Sequence, residues 1–116
     1  MIEFEESIAT RVFDSPHGEI TAHIGRPVQP DDRPDWFCPW TIEGSEDGPI
    51  ASFAMGIDAM QALIFALAAV GDRIAAENEP VSFLGDEANL GMLRTELGLT
   101  DRWQATVSVP TGSAQR

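Results

Sequence analysis

The sequence predicts an α+β fold: an antiparallel sheet of four or more strands packed on one long helix, with a shorter C-terminal helix. Two observations support this prediction. Four short segments before residue 56 have the residue patterns of strands. The segment 56–77, GIDAMQALIFALAAVGDRIAAE, instead repeats apolar residues at helical spacing. We expect residues 1–110 to form a single domain and residues 111–116 to form a flexible tail.

The first two strands are predicted to form a β-hairpin. Residues 7–14, SIATRVFD, and 19–26, EITAHIGR, each place alternate side chains on opposite faces. Between them, SPHG places Pro16 early in a turn and Gly18 where a left-handed conformation is favoured. The acidic, proline-rich stretch 27–35, PVQPDDRPD, then predicts an exposed loop.

The third strand is predicted in WFCPWTIEG, which contains Trp36 and Trp40. Because Pro39 has no backbone N–H to donate, we expect this strand to lie at a sheet edge or to carry a bulge. A second turn, SEDGP, separates it from a fourth strand at 50–55, IASFAM, which leads directly into the helix.

The long helix has clear start and stop signals. Asp58 and Gln61 have capping-box spacing, in which the carboxylate accepts from a first-turn amide and the glutamine reaches back to the cap amide. Asn78 and Pro80 mark the end of the helix. One broad face is expected to pack on the sheet, and its apolar residues are Ile57, Met60, Leu63, Ile64, Leu67, Val70 and Ile74.

The opposite face of the helix carries Phe65 among the small residues Ala62, Ala69 and Ala76. A solvated helix face usually carries charged residues, so this face predicts a second packing surface. Two interpretations are open: the C-terminal segment folds over Phe65, or a second copy of the chain binds there to form a homodimer.

The chain after the helix has weaker signals. VSFL at 81–84 is compatible with a short strand, and ATVSV at 105–109 with a last one. Between them, DEANLGMLRTELG predicts the shorter helix, with Asp86 as its cap and Gly98 as its end. Its leucines at helical spacing are Leu90, Leu93 and Leu97.

Acidity is the strongest feature of the composition. The chain has 19 acidic residues against 7 basic ones, all of them arginine, for a formal net charge of −12. This charge opposes binding to nucleic acid or to an anionic membrane and favours a basic partner. The N-terminal residues lack the apolar core of a secretory signal, so a cytoplasmic location is expected.

No residue pattern predicts a catalytic or metal centre, and no cofactor is expected. Cys38 lies between two tryptophans, where burial favours an inert thiol, with a reactive nucleophile as the alternative. His17 and His23 have no metal-ligand spacing with each other or with the cysteine.

The candidate binding residues lie in and around the third strand. Tryptophan is common at binding hot spots, and acidic loops flank the strand on both sides. The candidates are Trp36, Trp40, Asp31, Asp32, Asp35, Glu43, Glu46 and Asp47. We hypothesise a non-catalytic acidic binding protein, of the immunity or inhibitor type, that acts on a basic protein partner. The alternative is a small enzyme or ligand-binding domain with a pocket between helix and sheet.

The segments WFCPWTIEG and GIDAMQALIFAL, together with FLGD at 83–86, resemble a family of small bacterial proteins of unknown function. The resemblance covers residues 20–90. It implies that Asp58 and Gln61 belong to a shared helix start, and it implies no activity.

Overall fold

The computed structural model describes residues 4, 6–87, 89–96 and 101–109. Four strands form one antiparallel sheet in the order β1-β2-β3-β4, and two short strands form a separate ribbon. Along the chain, the elements are β1 (Ser7–Ser15), β2 (Gly18–Gly25), β3 (Trp36–Glu43), β4 (Ile50–Gly56), α1 (Ala59–Ala75), β5 (Arg94–Glu96) and β6 (Gln104–Thr106).

The predicted fold class is wrong in its helices. The helix α1 has 17 residues and is shorter than the predicted segment 56–77. The expected C-terminal helix is replaced by an irregular segment and by β5, which pairs with β6. Gly91 adopts a φ of +68°, which turns the chain away from a right-handed helix where helical spacing predicted one. Leu97, Gly98 and the predicted tail 111–116 lie outside the described residues.

The start of α1 has the predicted cap with one difference. The Asp58 Oδ1 atom accepts a hydrogen bond of 2.8 Å from the Gln61 backbone N–H, as expected for an N-cap. The Gln61 side chain reaches one residue further back than a capping box requires, because its Oε1 accepts from the Ile57 N–H at 2.7 Å.

The face of α1 that packs on the sheet is narrower and made of smaller residues than predicted. Its innermost side chains repeat every four residues: Ala62, Ala66, Val70 and Ile74. Small side chains allow the helix axis to approach the strands closely. Ile57 and Met60, which were predicted to be buried, are 76% and 69% exposed.

One face of the sheet, here called the inner face, carries the core. Alternate residues of β3 point into it, and so do those of β2. The helix packs mainly on β3 and β4, while the chain after the helix packs on β1. The ring of Phe83 packs on that of Phe13 with 5.9 Å between centroids. At Gly71 the helix and the backbone of Leu93 approach so closely that a Cβ atom would clash with the Leu93 carbonyl oxygen.

The prediction that β3 lies at an edge or carries a bulge is also wrong, because β3 pairs with β2 on one side and with β4 on the other, without a register shift. The β2–β3 pairing runs from Thr21–Glu43 to Ile24–Trp40 and stops just before Pro39. The proline therefore sits where no ladder hydrogen bond to β2 is required, which reconciles it with a central strand.

The far end of α1 is fixed to the β3–β4 turn by a buried carboxylate. Glu77 accepts hydrogen bonds from the Ser45 hydroxyl at 2.8 Å, from the Arg73 guanidinium at 2.6 Å and from the Glu46 N–H at 3.3 Å. Burial by itself raises the pKa of Glu77, but these three hydrogen bonds and the charge of Arg73 outweigh it and lower the pKa below its ordinary value.

The part of the chain that the structure describes contains no helix with the length and apolarity needed to cross a membrane.

The cap gives a first prediction. Asp58→Ala should lower the free energy of unfolding by about 0.5–2 kcal/mol, because it leaves the Gln61 N–H without its acceptor. Denaturant and thermal unfolding measure the change. Asp58→Asn is the control, since it retains an acceptor oxygen and should lose much less. If the alanine variant unfolds at the wild-type midpoint, the side chain does not stabilise the helix.

The buried carboxylate gives a second prediction. A group whose pKa is lowered by folding stabilises the folded state above its unfolded pKa, about 4.3 for Glu, and this contribution is lost as the pH falls through the folded value. The stability difference between wild type and Glu77→Gln should therefore shrink as the pH is lowered from 6 towards the acid transition. Exposed Glu79 supplies the control, Glu79→Gln. A stability difference that is constant with pH would contradict the assignment.

Candidate functional site

The acidic loop before β3 lies beside an aromatic pair on the outer face of the sheet, the face away from α1. The Arg33 Cζ atom stands 5.7 Å from the centroid of the Phe37 ring, and this ring meets Phe53 edge-to-face at 5.3 Å. The loop therefore contacts β3, whose Phe37 in turn meets Phe53 of the edge strand β4. The predicted site residues Asp31 and Asp32 are exposed here, and Asp35 is partly exposed.

The two tryptophans predicted for the binding surface belong to the inner layer instead. Trp40 is 7% exposed and packs in the core, and Trp36 is partly buried against the same cluster. The third tryptophan, Trp103, is 46% exposed and packs on Phe65 with 4.7 Å between ring centroids. The C-terminal segment therefore covers part of the Phe65 face, as one of the two interpretations predicted. Homodimerisation through this face stays a prediction.

An exposed apolar patch lies at the end of β4 and the start of α1. Its four residues are Phe53, Met55, Ile57 and Met60, and we call it the 53–60 patch. Phe53 and Met55 point from the outer face of β4 and are 49% and 51% exposed. Met60 also lines an open cleft of about 620 Å³, together with Ile64 and Trp103. Clustered large apolar side chains on a surface are typical of binding sites.

The 53–60 patch and the acidic loop lie at the same end of the sheet. In the register of β3 with β4, Trp36 faces Gly56 and Phe37 faces Met55. The end of β4 therefore lies beside the start of β3, where the acidic loop enters. The sequence assigned IASFAM to a strand, but alternation alone does not reveal that the second face of this strand has no cover.

The acidic residues at the end of β3 and in the turn after it lie at the other end of the sheet, and each of them already forms a contact within the protein. Asp47 forms an ion pair of 2.9 Å with Arg73, and Glu43 lies 3.3 Å from the His23 Nε2 atom. The Glu46 backbone N–H donates to Glu77. The structure therefore does not bring the two predicted acidic loops together. These contacts fix the second loop to α1 and to β2.

A chain of polar side chains crosses the outer face, and no pattern in the sequence predicts it. The Thr10 Oγ1 atom lies 3.1 Å from the His23 Nδ1 atom, and the Ser7 Oγ atom lies 3.4 Å from it. Glu43 completes the chain on the other ring nitrogen. A register shift between Ser7 and Ala9 places the serine beside Thr10. These contacts join β1, β2 and β3 across a solvated surface. Only the sheet register, which the sequence does not specify, could have identified them.

No metal centre is apparent in the described ranges, where no group of three or more His, Cys, Asp or Glu side chains is placed to hold an ion.

Cys38 lies on the inner face and is fully buried. Its Sγ atom is 3.4 Å from the Gly25 carbonyl oxygen, and burial raises the pKa of the thiol to about 11. Since the thiolate is the nucleophile, both the burial and the raised pKa oppose reactivity.

We therefore expect Cys38 to react slowly with a thiol reagent in the folded protein at neutral pH and rapidly in denaturant. Release of the reagent's chromophore measures both rates, and free cysteine at the same pH is the reference. Rapid stoichiometric labelling of the folded protein would contradict the burial and support a nucleophilic role.

The comparisons with known proteins identify a family without a known activity. No curated protein and no solved structure matches the chain. The family model of DUF6968, a domain of unknown function, matches residues 9–94. This match spans all four strands of the main sheet, except the start of β1, and the whole of α1. The chain belongs to the DUF6968 family.

Proposed function

We propose that this protein is a non-catalytic, acidic binding protein that acts on a basic protein partner, in the manner of an immunity protein or an inhibitor. One observation carries the proposal: an exposed apolar patch and an acidic loop lie together at one end of the sheet. We place its action in the cytoplasm of a bacterium, in keeping with the resemblance to small bacterial proteins.

The 53–60 patch supplies the surface that a partner would bury. Four large apolar side chains are exposed within eight positions of the chain. Burying an apolar side chain of this size contributes about 1.5–3 kcal/mol, so a few of them suffice as the centre of an interface. Phe53 and Met55 take the role that the sequence had suggested for Trp36 and Trp40, which lie in the inner layer.

The acidic loop supplies the charge. The loop contains Asp31, Asp32 and Asp35, its Arg33 stands over the Phe37 ring, and Asp32 lies 3.7 Å from Arg33. Together with the net charge of −12, these carboxylates attract a basic surface and repel nucleic acid and anionic lipid. The second acidic loop is less suited to binding, because Asp47 is already paired with Arg73.

The proposal predicts that the charge of one loop controls the association rate. Replacing Asp31, Asp32 and Asp35 with Asn should slow association with the partner captured from the native host by about tenfold at low salt, with a smaller effect on dissociation. Added salt should slow the wild type more than the variant, because exposed charges are screened beyond about 10 Å at 0.1 M. Surface plasmon resonance gives both rate constants.

A matched control removes three charges from the far end of the molecule. Asp14→Asn, Glu19→Gln and Glu79→Gln change the net charge equally, and all three residues are exposed. The apolar contribution is tested with Ile57→Ser, which should speed dissociation, against Ile8→Ser on the opposite edge strand. If the two triple variants slow association equally, the acidity acts through the net charge of the protein and not through this loop. Unchanged dissociation of Ile57→Ser would exclude the 53–60 patch.

A further inference from the structure

Arg11 has an unusual environment for an arginine in such an acidic chain. It lies on β1 opposite Ala22 and points into the inner face, where it is partly buried. No carboxylate of the described residues lies within 4 Å of it, although the chain has 19 acidic residues. Partly buried guanidinium groups usually pair with carboxylates, often through two parallel hydrogen bonds.

Within the described residues, Arg11 forms its hydrogen bonds through one nitrogen atom, Nη1. The Nη1 atom donates to the Gly91 carbonyl oxygen at 2.8 Å and approaches that of Leu90 at 3.4 Å. The Cζ atom stands 4.2 Å from the centroid of the Phe83 ring. These contacts hold the chain after α1 on the sheet. Within the described residues, Nη2 and Nε form no hydrogen bond, so two donors of the guanidinium fork are available.

Beside Arg11 is a cleft of about 170 Å³ between the inner face, the helix and the segment after it. The sheet contributes Ala9, Ala22 and Ile24 to its walls, and the helix contributes Leu67 and Val70. The small side chains of the two alanines leave this volume unfilled. Apart from the guanidinium, the walls are mainly apolar. The cleft is thus lined by one cationic group and mainly by hydrocarbon.

The volume and the lining define the class of ligand. A planar carboxylate matches the guanidinium fork, while the apolar walls favour a hydrocarbon body over a phosphate or a sugar. An apolar cavity of about 150 Å³ accommodates benzene. We propose that this cleft binds a small organic carboxylate whose apolar body is about the size of a benzene ring.

The net negative charge of the protein repels an anionic ligand at this cleft only weakly. Most of the acidic side chains are on the surface, and their repulsion is screened over about 8 Å at physiological ionic strength. Arg11 acts at contact distance and in a partly desolvated site, where a charge-assisted hydrogen bond is strongest. The proposal is independent of the partner surface, which lies on the outer face and at the start of α1.

The test uses benzoate as the probe and benzamide as its neutral isostere, with the full-length chain. In a ¹H–¹⁵N titration of the wild type, benzoate should cause saturable shifts of amides in β1, β2 and residues 67–70 and 89–92. Benzamide should bind at least about tenfold more weakly than benzoate, because a hydrogen bond to a charged group is stronger than one between neutral groups.

Two variants and one control separate the cation from the cavity. Arg11→Met retains much of the packing and should weaken benzoate binding by at least about tenfold, whereas Arg33→Met, which removes the arginine over Phe37 on the outer face, should leave it unchanged. Ala9→Leu fills the cleft but keeps Arg11, and it should abolish binding. Circular dichroism and thermal unfolding confirm that each variant folds. The proposal fails if wild-type benzoate binding is not saturable, if benzamide binds equally well, or if the folded Ala9→Leu variant binds as the wild type does.

Discussion

The architecture depends on covering one face of a four-stranded sheet with too little helix. A helix of 17 residues covers β3 and β4, and its alanines allow it to lie close to them. The other half of the inner face, at β1, is covered by the irregular chain that follows. That chain is held by Arg11 at Gly91, by the Phe83 ring on Phe13 and by hydrogen bonds from Arg94 and Thr95 to Asp72. Burial of the inner face thus dictates the path of the chain beyond the helix.

The same arrangement explains where the surface features lie. Ile57 precedes α1, and Met60 lies in its first turn on a different side of the helix from the buried Ala62, so both are exposed there. Because nothing in the described residues covers the outer face of β4, Phe53 and Met55 are exposed as well. The seam between the helix and the irregular segment leaves the cleft beside Arg11. We propose the first surface for a macromolecular partner and the second for a small molecule, and each surface follows from incomplete coverage of the sheet.

The sequence predicted the local features well and the tertiary ones poorly. The hairpin residues, the Asp58 cap and the burial of Cys38 follow from short-range patterns, which act within a few residues of the chain. The C-terminal helix was wrong because leucine spacing was weighed above Gly91, whose φ of +68° is incompatible with that helix. The exposure of Ile57 and Met60 was missed because the predicted face was defined by the larger apolar residues, whereas the small Ala62, which was predicted on the opposite face, packs on the sheet. The contacts of Arg11 and His23 join residues distant in sequence and depend on strand register, which a single sequence does not reveal.

The central proposal is that the β4–α1 corner, with the loop before β3, is the surface that binds a partner. Amide hydrogen exchange of the free protein and of its complex tests this claim directly, because it reports protection along the backbone. We expect new protection in residues 31–37 and 53–60 and little change in β1 or in the turn at 43–48. Protection confined to β1, or to the turn at 43–48, with unchanged exchange at the corner would contradict the account.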